Sequence, residues 1–147
     1  VHVVPLLEPA DIASGTVQTD VFSTREHWIE ILIPIGAITG NATVYVKGCN
    51  NTTASGTAVA TWWYRKTSAK GTDAIGAITA GSASGIVITD GTDENKVMVI
   101  DIDPDQFGGV PYIYAFVEIV GGGVLLASAV GLFFPRYPQN VQISEVV

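Results

Sequence analysis

The segment HWIEILIPI, residues 27–35, sets Ile29, Ile31, Ile33 and Ile35 at every second position, with Trp28, Glu30 and Leu32 between them. Side chains alternate across a strand, so this spacing puts four isoleucines on one face. The alternation recurs in ATVYVKG, where Val44 and Val46 face one way and Tyr45 and Lys47 the other. Further segments of this kind lie at 17–22, 57–66, 73–79, 85–89, 96–103, 111–120 and 124–133. Turn-forming runs separate them: TGN, CNNTTASG, SAKGTD, AGSASG, TDGTDEN, FGG and GGG. No stretch of about 12 residues carries a helical period. About nine short strands with frequent Gly, Asn and Asp turns predict an all-β fold, a single antiparallel β-sandwich of jelly-roll-like type. The exception is DPDQF, where Asp103 is placed to cap, Pro104 suits a first helical position and Gln106 completes a capping-box spacing. A single helical turn is predicted there.

Two strands carry apolar residues on both faces. In ATWWYRK, residues 60–66, Trp62 and Trp63 are adjacent and must point to opposite sides. In YIYAFVEIV, Tyr112, Tyr114, Phe116 and Glu118 share one face, and Ile113, Ala115, Val117 and Ile119 share the other. A sandwich buries only one face of each sheet, so the outer aromatics call for a cover. Three covers suit them: the chain's own terminal segments, a sugar stacked on the rings, or another subunit. Aromatic residues are enriched in the buried centres of interfaces, which favours the subunit.

Composition points the same way. Charged residues make up 14% of the 147-residue chain, against about 25% in an average soluble domain, while 48% are hydrophobic. The longest apolar run, residues 120–134, falls short of the ~20 that a membrane-spanning helix needs. The N-terminal residues VHVVPLLEPAD lack the basic region and long apolar stretch of a secretory signal. Cys49 is the one cysteine, so no internal disulfide forms, which fits assembly in a reducing cytoplasm. The net charge is −7, and the few basic residues are scattered apart from Arg65-Lys66. That distribution argues against nucleic acid and anionic membrane surfaces as partners.

Residues suited to catalysis or metal binding do not form a pattern. The acidic run from Asp90 to Asp105 matches the first three positions of a calcium loop when read from Asp101, but position six is Gln106 and position twelve is Tyr112. A hairpin turn at Asp90-Gly91 and a helix cap account for these acids more simply. His2, His27 and Cys49 have no zinc-ligand spacing. Three Asn-x-Thr triplets, at 41–43, 50–52 and 51–53, read as turn residues. No catalytic residue, cofactor or metal site is expected, and the chain is not read as an enzyme.

The two ends contain prolines and apolar residues without a clean strand register. They read as an extended N-terminal arm (1–15) and C-terminal tail (135–147) around a sandwich domain (16–134), both ends too apolar to stand free in water and so laid on this domain or on a neighbouring chain. The arm and tail residues Val4, Pro5, Leu6, Leu7, Ile12, Phe134, Arg136 and Tyr137 are candidates for contact with a neighbouring chain. So are the aromatics Trp62, Trp63, Tyr64, Tyr112 and Tyr114.

Taken together, PLLEPADIASGTVQTDVFSTREHWIEILIPIGAITGNATVYV, GTAVATWWYRK, VMVIDIDPDQF, VPYIYAFVEIV and ASAVGLFFPRYPQ resemble a class of small structural proteins of tailed bacteriophages, many of them capsid decoration (cement) or head auxiliary proteins. The resemblance spans nearly the whole chain and lies in its layout. It implies a β-sandwich or β-tulip-like domain, often trimeric, that binds the major capsid protein on the outside of an icosahedral shell through extended arms. The virion surface is then the expected location, reached by assembly in the host cytoplasm. A tail-tube or fibre subunit, a carbohydrate-binding module and a calcium-dependent adhesin are the alternative expectations.

Overall fold

A computed structural model describes residues 1–24, 27–58, 62–103, 105 and 109–135. Ten strands follow in chain order: β1 (His2–Gln18), β2 (Phe22–Ser23), β3 (His27–Thr39), β4 (Ala42–Cys49), β5 (Thr57–Ala58), β6 (Trp63–Lys66), β7 (Thr79–Ala80), β8 (Ile86–Ile88), β9 (Val97–Ile102) and β10 (Tyr112–Pro135). The paired strands run antiparallel throughout, and they form two sheets packed face to face, as expected for an all-β sandwich.

β10 belongs to both sheets. Its first part, from Tyr112 to Ile119, pairs with β4 on one side and with β2 and the end of β1 on the other. β5 and β8 add to the far side of β4 and complete the first sheet. Its second part, from Val124 to Pro135, pairs with β3 on one side and with the start of β1 on the other. β9, β6 and β7 follow beyond β3 and complete the second sheet.

The alternation read from the sequence sets the core. Ile29, Ile31, Ile33 and Ile35 of β3 are buried with Met98, Ile100 and Ile102 of β9. They pack in one cluster with Val44 and Val46 of β4 and with Ile113, Ala115 and Val117 of β10. Phe22 and Phe133 meet edge to face at 5.4 Å between ring centres, an arrangement aromatic quadrupoles favour.

Four expectations change. GGG at 121–123 is not a turn between two strands, because β10 runs through it without a break. The N-terminal segment is extended, but it lies on its own chain as β1, and Leu6 and Ile12 are part of the core. TDGTDEN does not close a hairpin, since β8 pairs with β4 and β9 with β3, in opposite sheets. Residues 73–79 form no full strand; Ile75 makes one isolated bridge to Thr67 before β7 begins at Thr79. Of DPDQF, only Asp103 and Asp105 are described, and the Asp105 N–H donates to Asp103 Oδ1 at 3.0 Å, the bond a capping aspartate makes. The C-terminal tail beyond Pro135, with Arg136 and Tyr137, lies outside the described residues.

Trp62 points inward and is 1% exposed, whereas Trp63 is 37% exposed. Gly81 makes the inward position possible. Its N–H donates to the Trp62 carbonyl at 2.7 Å, and a Cβ there would sit 2.3 Å from the indole. Gly81→Ala is therefore expected to push the indole out of its site and to destabilise the fold by about 1–3 kcal/mol. Urea denaturation measures this, and an unchanged midpoint would remove Gly81 from the account of the core.

Candidate functional site

The two sheets differ in how their outer faces are finished. On the first sheet, Tyr114 is only 2% exposed and packs with Val21 and Cys49, with Ala54, Tyr112 and Phe116 alongside. The loop after β4 folds over it, and the Gly56 N–H donates to Tyr114 Oη at 3.0 Å. Lys47 Nζ sits 3.5 Å from the centre of the Phe116 ring, a cation–π contact. Tyr45 Oη donates to Glu118 Oε2 at 3.2 Å. Burial, followed by the bond to Glu118 and its charge, raises the Tyr45 pKa. The chain's own loop and side chains cover this outer layer around Tyr114, while Val87 of β8 stays exposed farther out on the same face.

Among the described residues, nothing covers the outer face of the second sheet. Register aligns Val3, Leu132, Glu30, Asp101, Trp63 and Ala80 in one row across β1, β10, β3, β9, β6 and β7. Trp28 pairs with Phe134 in the row beside it. Val3, Trp28, Trp63, Ile78, Leu126 and Phe134 are exposed on or beside this face. Trp28, Trp63 and Ile78 wall a cleft of about 470 Å³, which Glu30, Arg65 and Asp101 also line.

The charges in the cleft follow from register. Glu30 and Asp101 face each other directly across β3 and β9, and like charges in that position repel. Arg65 reaches in from the next row. Its Nη2 donates to Glu30 Oε1 at 3.0 Å and to Asp101 Oδ1 at 3.1 Å. The Asp101 side chain is 9% exposed. Burial pushes its carboxyl above the ordinary aspartate range; Arg65 draws it down and the Glu30 carboxylate pushes it back up. Two polar atoms of this cluster, Arg65 Nε and Asp101 Oδ2, are buried without a hydrogen-bond partner.

Of the expected contact residues, Trp63 and Phe134 lie exposed on the open face, and Pro5 is exposed on β1. Tyr64 and Tyr112 are half-buried, and Val4 and Leu7 pack partly against the core. Leu6, Ile12, Trp62 and Tyr114 are buried within this chain and present no free surface. The sequence reading did not single out Trp28, Glu30 and Asp101 as a site. Trp28 and Glu30 alternate with the isoleucines of β3, but only the β3–β9 register brings Asp101 to them.

The remaining acids have separate tasks. Asp90 Oδ2 accepts the Gly40 N–H at 3.1 Å. Asp93 Oδ2 accepts from Lys66 Nζ at 2.6 Å and from the Thr89 N–H at 2.9 Å, and Lys96 Nζ lies 3.8 Å from Asp93 Oδ1. Among the described residues no three His, Cys, Asp or Glu side chains converge as a metal site. Cys49 is buried, and burial raises its thiol pKa despite the bond it donates to the Asn51 carbonyl, which leaves it a poor nucleophile. Asn51 acts as a turn residue, its Oδ1 accepting the Thr53 N–H, whereas Asn41 Oδ1 accepts the N–H of Asp90 from a distant loop.

No model of a known protein family matches the chain, and no curated protein sequence matches it either.

Asp93 gives the fold a defined pH dependence. Burial pushes its carboxyl up, but the Lys66 and Thr89 bonds and the two lysine charges outweigh this and hold it below the ordinary range. A carboxyl whose folded pKa is depressed contributes stability above its unfolded value of about 3.9, and that stability is lost as pH falls through the folded value. Asp93→Asn is expected to be less stable than wild type at neutral pH by about 2–4 kcal/mol. The gap should narrow in urea denaturation series taken below about pH 4. A gap that stays constant down the series would show that Asp93 acts without its charge.

Proposed function

We propose that this chain is a virion structural subunit, a capsid decoration protein that sits on the outside of an icosahedral head and strengthens the shell against internal DNA pressure. The observation that carries the reading is the open outer face of the second sheet. Val3, Leu126 and Phe134 are exposed there, and Glu30, Asp101 and Arg65 on the same face are already paired with one another. An exposed aromatic and aliphatic face whose charged side chains are already paired with one another is suited to burial against another protein. The low charge content and the resemblance to phage head proteins support the same reading. The partners are the major capsid protein and further copies of this chain, arranged as a trimer.

The mechanism is mechanical. Apolar burial contributes about 25 cal/mol per Å². A standard interface of about 1,600 Å² retains a net gain after the cost of association. Repeated over the symmetric copies on a shell, modest gains per copy add up to a large resistance to expansion.

The test is co-sedimentation of the purified chain with heads of the virus that encodes it. Saturable binding is expected, together with its loss in Leu126→Asp and Phe134→Asp, which place a charge on the open face without touching the core. Wild-type chain that stays in the supernatant, or charged variants that bind as well as wild type, would overturn the reading. Rings or tubes formed by the chain alone, seen by electron microscopy, would move it to the tail.

A further inference from the structure

We propose that the cleft between Trp28 and Trp63 is a binding site for a neutral saccharide. The inference goes beyond the virion reading and does not depend on it. Its walls are two exposed indoles on strands of one sheet, and flat aromatic faces of this kind stack on the C–H faces of a pyranose ring. A cleft of about 470 Å³ falls within the range of small-molecule sites.

The polar floor narrows the ligand class. Arg65 already supplies a cation to both Glu30 and Asp101 through one nitrogen. What remains unpartnered is one donor, Arg65 Nε, and one acceptor, Asp101 Oδ2, both belonging to residues that line the cleft. A hydroxyl both donates and accepts, so it complements that pair, directly or through a bridging water. An ammonium or guanidinium group only donates; it would leave the Arg65 donor unsatisfied and would meet the Arg65 charge. An anion would face two carboxylates. A polyhydroxylated neutral ring satisfies the aromatic walls and the floor together. The Asp101 side chain is more than nine-tenths buried, so its orientation is fixed before a ligand arrives. Both atoms are covered in the free chain, so binding requires the side chain of Arg65, the more exposed of the two, to move aside as the ligand enters.

The test begins with the full chain on a microarray of bacterial, plant and animal glycans. Calorimetric titration of the bound glycan as a free oligosaccharide follows, with arginine amide titrated in parallel. The expected result is saturable binding of a neutral oligosaccharide and none of arginine amide. Affinity should fall roughly tenfold or more in Trp28→Ala and in Trp63→Ala. Trp63→Phe keeps an aromatic wall and should retain part of the affinity. It also serves as the reading if an alanine variant fails to fold. No glycan bound on the array, arginine amide bound in place of a saccharide, or affinity unchanged in the tryptophan variants would each overturn the proposal. Failure of shell binding with glycan binding intact would sink the virion reading alone.

Discussion

Everything in this fold depends on β10 being paired along both edges on either side of a bend. It pairs with β1 from Gln18 back to His2 on one side, and with β4 and then β3 on the other. One strand therefore carries the hydrogen-bond ladder from the first sheet into the second. The corner needs residues without side chains. A Cβ at Gly123 would lie 2.2 Å from the Thr39 carbonyl oxygen. In the facing strand, Gly15 adopts a φ of 121°, which favours glycine. Pairing passes from Ala13↔Val124 to Gly15↔Ile119, so one residue of β1 spans four of β10 at the corner. Even so, odd-numbered residues of β10 face the core on both sides of the bend, from Ile113 to Phe133.

That shared strand explains why the outer faces are unequal. The loop after β4 is long enough to fold back over the first sheet and satisfy Tyr114. The connections around the second sheet leave its outer face bare among the described residues. A central strand there, β9, is buried on both faces, Asp101 included, because Arg65 closes over it. The ion cluster thus follows from strand register. It also makes the floor of the cleft polar, and the two indoles make its walls.

The inner half of this architecture was legible in the sequence because period-two alternation is a local property. Ile29 to Ile35 and Ile113 to Ile119 point to the core as their spacing requires. Long-range pairing was not legible. GGG at 121–123 reads as a turn when only neighbours are considered; only the pairing of the residues on either side of it, Ile119 with Gly15 and Val124 with Thr39, shows it as a bend. The prolines of residues 1–15 read as an arm, yet bulges in β1 between Pro5, Leu7 and Ala10 accommodate them in a strand. ATWWYRK fixes that one tryptophan faces out, but the choice rests on Gly81, which contacts Trp62 from another loop. The Trp28–Glu30–Asp101–Trp63 grouping spans three strands, and nothing local brings it together.

The central claim is that the described residues leave the outer face of the second sheet uncovered while they shelter the other aromatics. Hydroxyl-radical footprinting of the isolated chain, read residue by residue by mass spectrometry, tests it most directly. Oxidation should be rapid at Trp28, Trp63 and Phe134 and slow at Trp62 and Tyr114. Oxidation of Trp62 as fast as Trp63, or protection of Trp28, Trp63 and Phe134 in the free chain, would contradict the account.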